Sequence, residues 1–333
     1  MNIEFHYYIT KYLALEAGFD TDEAEIIAYS SQFTDDNTIR FKVQKPSKEF
    51  FENYITQTKN ILKPSKQLLR IYLMYHFLPG DSNSPKVRRR DGKMHLLITS
   101  PASIHADQLF YDSSQNSNLY IVGIAAHMMA DTFSHQNFIG TFDEINAMQG
   151  VAETLIPNVG HADAGYKPDI PNLVWTDPRL IKNNEEVKNF DRLLLAAKKI
   201  YSNFLIITSA ENNWMKVKKN LVNIFSEQLP ETEIKQYPKQ MKLRIEQYKE
   251  ILGEFDNNND YNPNNWFDAA INQDVNFLDD KKYKYDPIKD KFTFKKNYEN
   301  SNWYKFQEAV KQYQRHATIK LRPIFEQLEI KGF

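Results

Sequence analysis

Apolar residues recur at helical spacing along most of the chain and alternate strictly in only a few short stretches. A first helix is predicted from about 3 to 17, stopped by Gly18. Asp20 opens a second, with Glu23 supplying the other half of a capping box, and "AEIIAYSSQF" carries it to Asp35 or Asp36. "NTIRFKVQ" (37 to 44) alternates, which predicts a short strand or an extended loop. Pro64 suits the first turn of a helix that reaches Phe77 and is ended by Pro79-Gly80. A loop over 81 to 100 follows, with a small hairpin around "GKMHLLI". Helices are then expected over 103 to 113 and 118 to 138. The second is rich in Ala and Met, carries little charge, and reads as the buried centre of the fold.

From 140 to 179 glycines and prolines break the periodicity, and these small residues gather around His161. A loop this long in a compact domain signals function or disorder, and here function is the expectation. Helical spacing resumes over 185 to 208, 211 to 228, 231 to 252 (with Pro238 as a kink or break) and 302 to 329. An Asn/Asp loop over 256 to 265 and an excursion of strand character, "YKYDPIKDKFTFKK", lie between. The expected fold is all-α with small irregular or hairpin excursions. Its organisation is a core over 1 to 200 with a C-terminal helical region, 201 to 333, packed on it or continuous with it.

Composition narrows the chemistry. Lys plus Arg is 42 and Asp plus Glu is 43, so there is no net field to attract nucleic acid or an anionic membrane. Cysteine is absent, which excludes disulfides, thiolate metal sites and thiol nucleophiles. With neither a basic leader nor an 18-residue apolar run, the expectation is a soluble, cytoplasmic protein.

Only eight histidines occur, and seven lie in the first half. "GIAAHMMADTFSHQNFIG" sets His127, Asp131 and His135 at i, i+4 and i+8. Each four-residue helical step rises roughly 6 Å and turns about 40°. Neighbours in this series can therefore share an ion, whereas His127 and His135, about 12 Å apart along the axis, cannot. Two ions with Asp131 between them is the simple solution, and imidazole plus carboxylate suits zinc. Idle polar groups in so apolar a helix would cost too much to keep. His6, His76 and His161 are further candidate ligands, as are Asp35 and Asp36, whose charge opposes the helix dipole at a C-terminus. Asp163 and Asp169 flank His161. His105 reads as a surface or supporting residue, and His95 and His316 as incidental.

These residues resemble, in order and type, the superfamily of zinc-dependent phospholipase C and the zinc single-strand-specific nucleases. The shared pattern is an early His, an Asp after the second helix, a His, and a helix of the form Gly-x-x-x-His-x-x-x-Asp-x-x-x-His. "HYYITKYLALEAGF", "YSSQFTDDN", "HFLPG", "HQNFIG" and "IPNVGHADAGYKPDIP" look closer still to a bacterial family of unknown function within it, over about 1 to 200. The resemblance implies a helical hydrolase with two or three zinc ions acting on a phosphate ester or another small molecule. It implies that His127, Asp131, His76 and Asp35 or Asp36 hold one ion, His135 and His161 a second, and His6 with Asp131 a third. Asp35, Asp36 or Glu4 would act as base or orient water. Two departures stand out. The family's N-terminal Trp is Met1 here, and its Glu four residues after the last His is Gly165, for which Asp163 or Asp169 would substitute.

Other signals are weaker. "KVRRRDGK" reads as a solvated basic turn. "DNNND" (256 to 260) lacks the Gly and Glu of a calcium loop, having Tyr261 and Phe267 there. A non-catalytic metal-stabilised scaffold or partner-binding protein would use the same ligands with every coordination position closed.

Overall fold

The computed structural model describes residues 1–58, 66–115, 118–148, 159–225, 227–256, 259–273 and 292–330. The chain opens with a π-helical turn, Glu4–Ile9, which continues into α1 (Thr10–Glu16). Gly18, at φ 91°, allows the stop. Helix α2 (Thr21–Asp36) begins on the expected capping box, with both the Asp20 and the Glu23 bonds made. Strands β1 (Lys42–Gln44) and β2 (Phe50–Glu52) form a hairpin, and α3 (Lys66–Ile71) runs into a second π-helical turn, Tyr72–His76. The predicted start of this helix at Pro64 falls outside the described residues.

Helix α4 (Ile104–Ser114) is capped by Ser103, and α5 (Leu119–Ser134) by Asn118, whose side chain accepts from Tyr120 N and Ile121 N. Every residue of α5 from Tyr120 onward is buried. The remaining elements are β3 (Leu173–Thr176), β4 (Glu186–Lys188), α6 (Asn189–Thr208), α7 (Trp214–Ile224), β5 (Leu229–Pro230), α8 (Tyr237–Leu252), α9 (Asn265–Ala270), β6 (Ile271–Gln273), β7 (Phe292–Phe294) and α10 (Asn302–Gln327).

The fold is mostly helical, but the all-α expectation needs correction: two small mixed sheets are present, ordered β2-β1-β7-β6 and β4-β3-β5. Their strands are two to four residues long, too short for alternation to stand out in the sequence. No hairpin forms around 92 to 98. There Ile98 N bonds His95 O in a turn, which buries Leu97 and Ile98. Pro238 lies in the first turn of α8 and starts it, where its missing N–H costs nothing.

Packing places α5 at the centre, against α2, α4, α6 and α10. One apolar cluster runs from Phe5 to Phe325, and β1 pairs with β7 in parallel, so the last third shares a core with the first. Gly123 lets α2 and α5 approach closely, because a Cβ there would stand 2.4 Å from Ile27 O. That approach brings the end of α2 against the ligand-bearing half of α5. No described helix is long and apolar enough to cross a membrane.

Candidate metal centre

Five elements deliver their polar ends to one buried patch. The π-helical turn at the start of the chain carries His6, α2 carries Asp35, and the second π-helical turn ends on His76. Helix α5 carries His127 and Asp131. The loop from 159 to 170, closed by a 3-10 turn (Lys167–Asp169), carries His161 and Asp169. Both π-helical turns bear a histidine of the patch, and such turns recur at functional sites because the extra residue re-aims a side chain.

Asp131 is the hub. Its Oδ1 lies 3.2 Å from His6 Nε2, and its Oδ2 lies 3.1 Å from His76 Nδ1, 3.3 Å from His127 Nε2 and 3.5 Å from His135 Nδ1. Asp35 approaches from α2, 3.7 Å from His76 Nδ1 and 3.8 Å from both His6 Nε2 and His127 Nε2. His6 and His127 stack, with ring centroids 3.9 Å apart. His135 lies just past the end of α5 rather than on it, so its ring turns outward, and Nε2 stands 3.0 Å from Asp169 Oδ1. His161 Nε2 is 3.3 Å from Asp169 Oδ2.

Among the described residues these side chains form three groups with ligand atoms close enough to hold an ion. They are His6–His127–Asp131, Asp35–His76–His127 and His135–His161–Asp169. The donor set fits a metal of zinc's preferences, imidazole nitrogen plus carboxylate oxygen. So does one buried atom: His6 Nε2 is sealed from solvent and makes no hydrogen bond of good geometry. Backbone carbonyls orient three of the rings. His76 Nε2 donates to Thr56 O (2.9 Å), His135 Nδ1 to His76 O (2.8 Å) and His161 Nδ1 to Gly165 O (2.8 Å). In each ring the nitrogen that faces the carboxylates is thereby the one with a free lone pair.

The α-amino group of Met1 pairs with Asp131 and lies 3.3 Å from Asp169 Oδ1 and 3.0 Å from Ser134 Oγ. Burial would lower its pKa, but Asp131, Asp169 and Asp35 together raise it to about 10. Burial pushes His6 down to about 4, helped by the neighbouring His127 and amino group. For His76, burial is outweighed by Asp131 and Asp35, and the shift is upward. Asp35, Asp131 and Asp169 all lie below the ordinary carboxylate range despite burial, because His rings crowd them. The patch is thus an anionic well that favours cations.

Three sequence readings change. Asp163 does not reach the patch, since its Oδ2 accepts from Met148 N at 2.6 Å; Asp169, six residues on and at the end of the 3-10 turn, stands there instead. Asp36 points away from the His rings, accepting from Gln32 Nε2 (3.1 Å) and Tyr261 Oη (2.7 Å). Glu4 is no candidate base: it is fully buried in a two-bond ion pair with Arg244, at 2.7 and 2.9 Å. His105, His95 and His316 belong to none of the three groups.

A cleft of about 850 Å³ opens onto the patch. Asp35, Asp36, Asp169 and Met1 form one end. Ile3, Ala164, Ile170, Ile234, Tyr166 and Tyr237 make much of the rest, with Lys167 and Lys235 at its edge. Lys167 pairs with Glu231 at 2.7 Å, whereas Lys235 is exposed and has no ion pair with a described residue. Lys235 and Tyr237 are not readable from sequence, because they come from the last third and meet the patch only through tertiary packing.

The family model described as "Family of unknown function (DUF6765)" matches residues 1–321. No curated protein and no solved structure matches the chain.

Proposed function

The chain belongs to that family of unknown function, and from its site we propose that it is a metal-dependent hydrolase, with phosphate esters as the substrate class and zinc as the first-choice ion. The observation that carries this reading is the convergence of five histidines and three aspartates on one patch whose carboxylate edge faces a cleft. A closed structural site would bury its ligands on all sides. Here the side chain of Asp35 remains 25% exposed at the cleft, which leaves room for a water and a substrate oxygen.

His6, His127 and Asp131 would hold one ion, Asp35 and His76 with Asp131 a second, and His135, His161 and Asp169 a third. His127 presents a single nitrogen to the patch, so it serves only one of the first two. Asp131, with carboxylate oxygens toward both sets of rings, would be shared between the first two. Bound divalent ions lower the pKa of water and neutralise charge on phosphoryl oxygens.

The chain's own groups supply the rest. Asp35, placed between the His rings and the cleft, orients a water and takes its proton. The carbonyls behind His76, His135 and His161 hold their rings in the ligating tautomer. Lys235 offers a cation to an anionic substrate at the cleft mouth, and the apolar walls exclude competing water.

The reading is tested by assaying generic phosphomonoesters and phosphodiesters with protein purified without chelator. Hydrolysis that is lost on chelation, restored by added zinc and abolished in Asp131→Ala supports it. Metal-replete protein that turns over neither ester class contradicts it.

A further inference from the structure

Behind His76 lies a buried polar network that joins α10 to the end of α2 and does not line the cleft. Gln307, on α10, is fully buried, and its Nε2 donates to Asn37 Oδ1 at 3.2 Å. Asn53 Nδ2 donates to the same oxygen, also at 3.2 Å. Asn37 Nδ2 donates to Tyr54 O (2.8 Å) and Thr56 Oγ1 (3.3 Å), so donors and acceptors fix the orientation of the Asn37 amide. Thr56 is gripped on two more sides. Its Oγ1 donates to Thr34 O at 2.7 Å, and its N–H donates to Asn37 O at 3.1 Å. The one remaining group of Thr56, its carbonyl, accepts from His76 Nε2.

A buried network of this kind is costly, the more so because Gln307 Oε1 has no hydrogen-bond partner among the described residues, and an apolar core would join α2 and α10 equally well. Thr56 Oγ1 also satisfies Thr34 O, a last-turn carbonyl of α2, so Thr56 caps that helix, but capping calls for neither Gln307 nor the bond from His76 to the Thr56 carbonyl.

We infer that Gln307, Asn37 and Thr56 are positioning residues for His76. By immobilising the Thr56 carbonyl, they hold the ring with Nε2 on that carbonyl and Nδ1 toward Asp131, Asp35 and His127, where it would ligate an ion. Thr56 O and Asp131 Oδ2 can both only accept, so a neutral ring donates to one of them, and an ion held at Nδ1 would leave Nε2–H for the carbonyl. The last third of the chain thereby tunes one group of ligands selectively, since His135 and His161 are oriented by other carbonyls. The effect on metal affinity rests on the metal reading above; the bond between His76 and the Thr56 carbonyl does not.

Two measurements test it. Ring nitrogen NMR of the zinc-loaded wild-type protein is expected to show His76 with the hydrogen on Nε2 and Nδ1 as the ligand; a hydrogen on Nδ1 would overturn the inference. Cobalt(II) titration then compares Thr56→Val, which keeps the carbonyl but loses the hydroxyl anchors, with Thr56→Ser, which restores them. Thr56→Val should bind one cobalt about 10 to 100-fold more weakly, with affinity for the others retained and Thr56→Ser behaving as wild type. Unchanged affinity in Thr56→Val, or an equal loss at every cobalt, overturns it. Wild-type protein that takes up no cobalt overturns the metal reading and this inference with it, whereas the outcomes above overturn the inference alone.

Discussion

His76 Nδ1 and Asp131 Oδ2 lie 3.1 Å apart, although the residues are 55 positions apart in sequence and sit on different elements, neither with appreciable solvent exposure. The contact exists because α2 and α5 pack closely enough to leave one polar patch at their ends, with the second π-helical turn closing it. Predictions follow from that geometry at several distances from the patch.

Gly123→Ala tests the helix approach. The added methyl would stand 2.4 Å from Ile27 O and 2.5 Å from Ser30 Cβ, so the helices must part. Thermal unfolding should show a loss of about 1 to 3 kcal/mol. Because Asp35 rides on α2, zinc affinity at the site of Asp35 and His76 should fall more than at His135–His161–Asp169.

Arg244→Met tests the ion pair that removed Glu4 from the catalytic candidates. Both partners are buried, so removing the cation leaves an uncompensated carboxylate and should destabilise by about 3 to 5 kcal/mol. Adding Glu4→Gln to that variant should recover most of the loss in a denaturant titration. Equal stabilities for the single and double variants would show that the pair carries no such role.

Asp177 gives a pH-dependent signature away from the metal patch. Burial would raise its pKa, but the bonds from Arg179, at 2.7 and 2.9 Å, hold it below the ordinary value of 3.8. A depressed folded-state pKa contributes stability that is present above the unfolded value and lost as the pH falls through the folded one. The stability gap between wild type and Asp177→Asn should therefore be constant near neutrality and shrink below about pH 4. Denaturant midpoints measured at several pH values check this.

Lys235→Glu tests the cleft. A charge reversal at an exposed position with no ion pair among the described residues should leave folding unchanged, raise KM for a phosphate ester on the order of tenfold, and leave kcat nearly intact. A fall in kcat with unchanged KM would place the lysine's effect on the chemistry instead.

Much of this arrangement is legible in the sequence, for identifiable reasons. His127 and Asp131 are readable because an i, i+4 pair of polar groups cannot be idle in a run like "GIAAHMMADTF". The capping box at Asp20 and Glu23 is a local bond pattern and forms as predicted. Legibility ends where tertiary packing decides. Asp35 and Asp36 are adjacent on one helix end, and only the docking of α2 on α5 sets which one faces the rings. Asp169 rather than Asp163 meets His161 because the loop reverses through a Pro168-containing 3-10 turn, which leaves no periodic trace. Helical spacing places His135 on α5, whereas the helix ends at Ser134 and the ring swings toward Asp169. Gln307 is invisible from sequence: a single Gln on an amphipathic helix reads as surface, yet it is buried against Asn37.

The central claim is that the His/Asp patch holds divalent ions. Elemental analysis of protein purified without chelator, run beside His127→Ala, tests it most directly. The account predicts two or three tightly bound ions per chain, one for each group that its shared ligands can complete, with a clear loss in the variant. Less than one stoichiometric equivalent in the wild type, unchanged by His127→Ala, would contradict it.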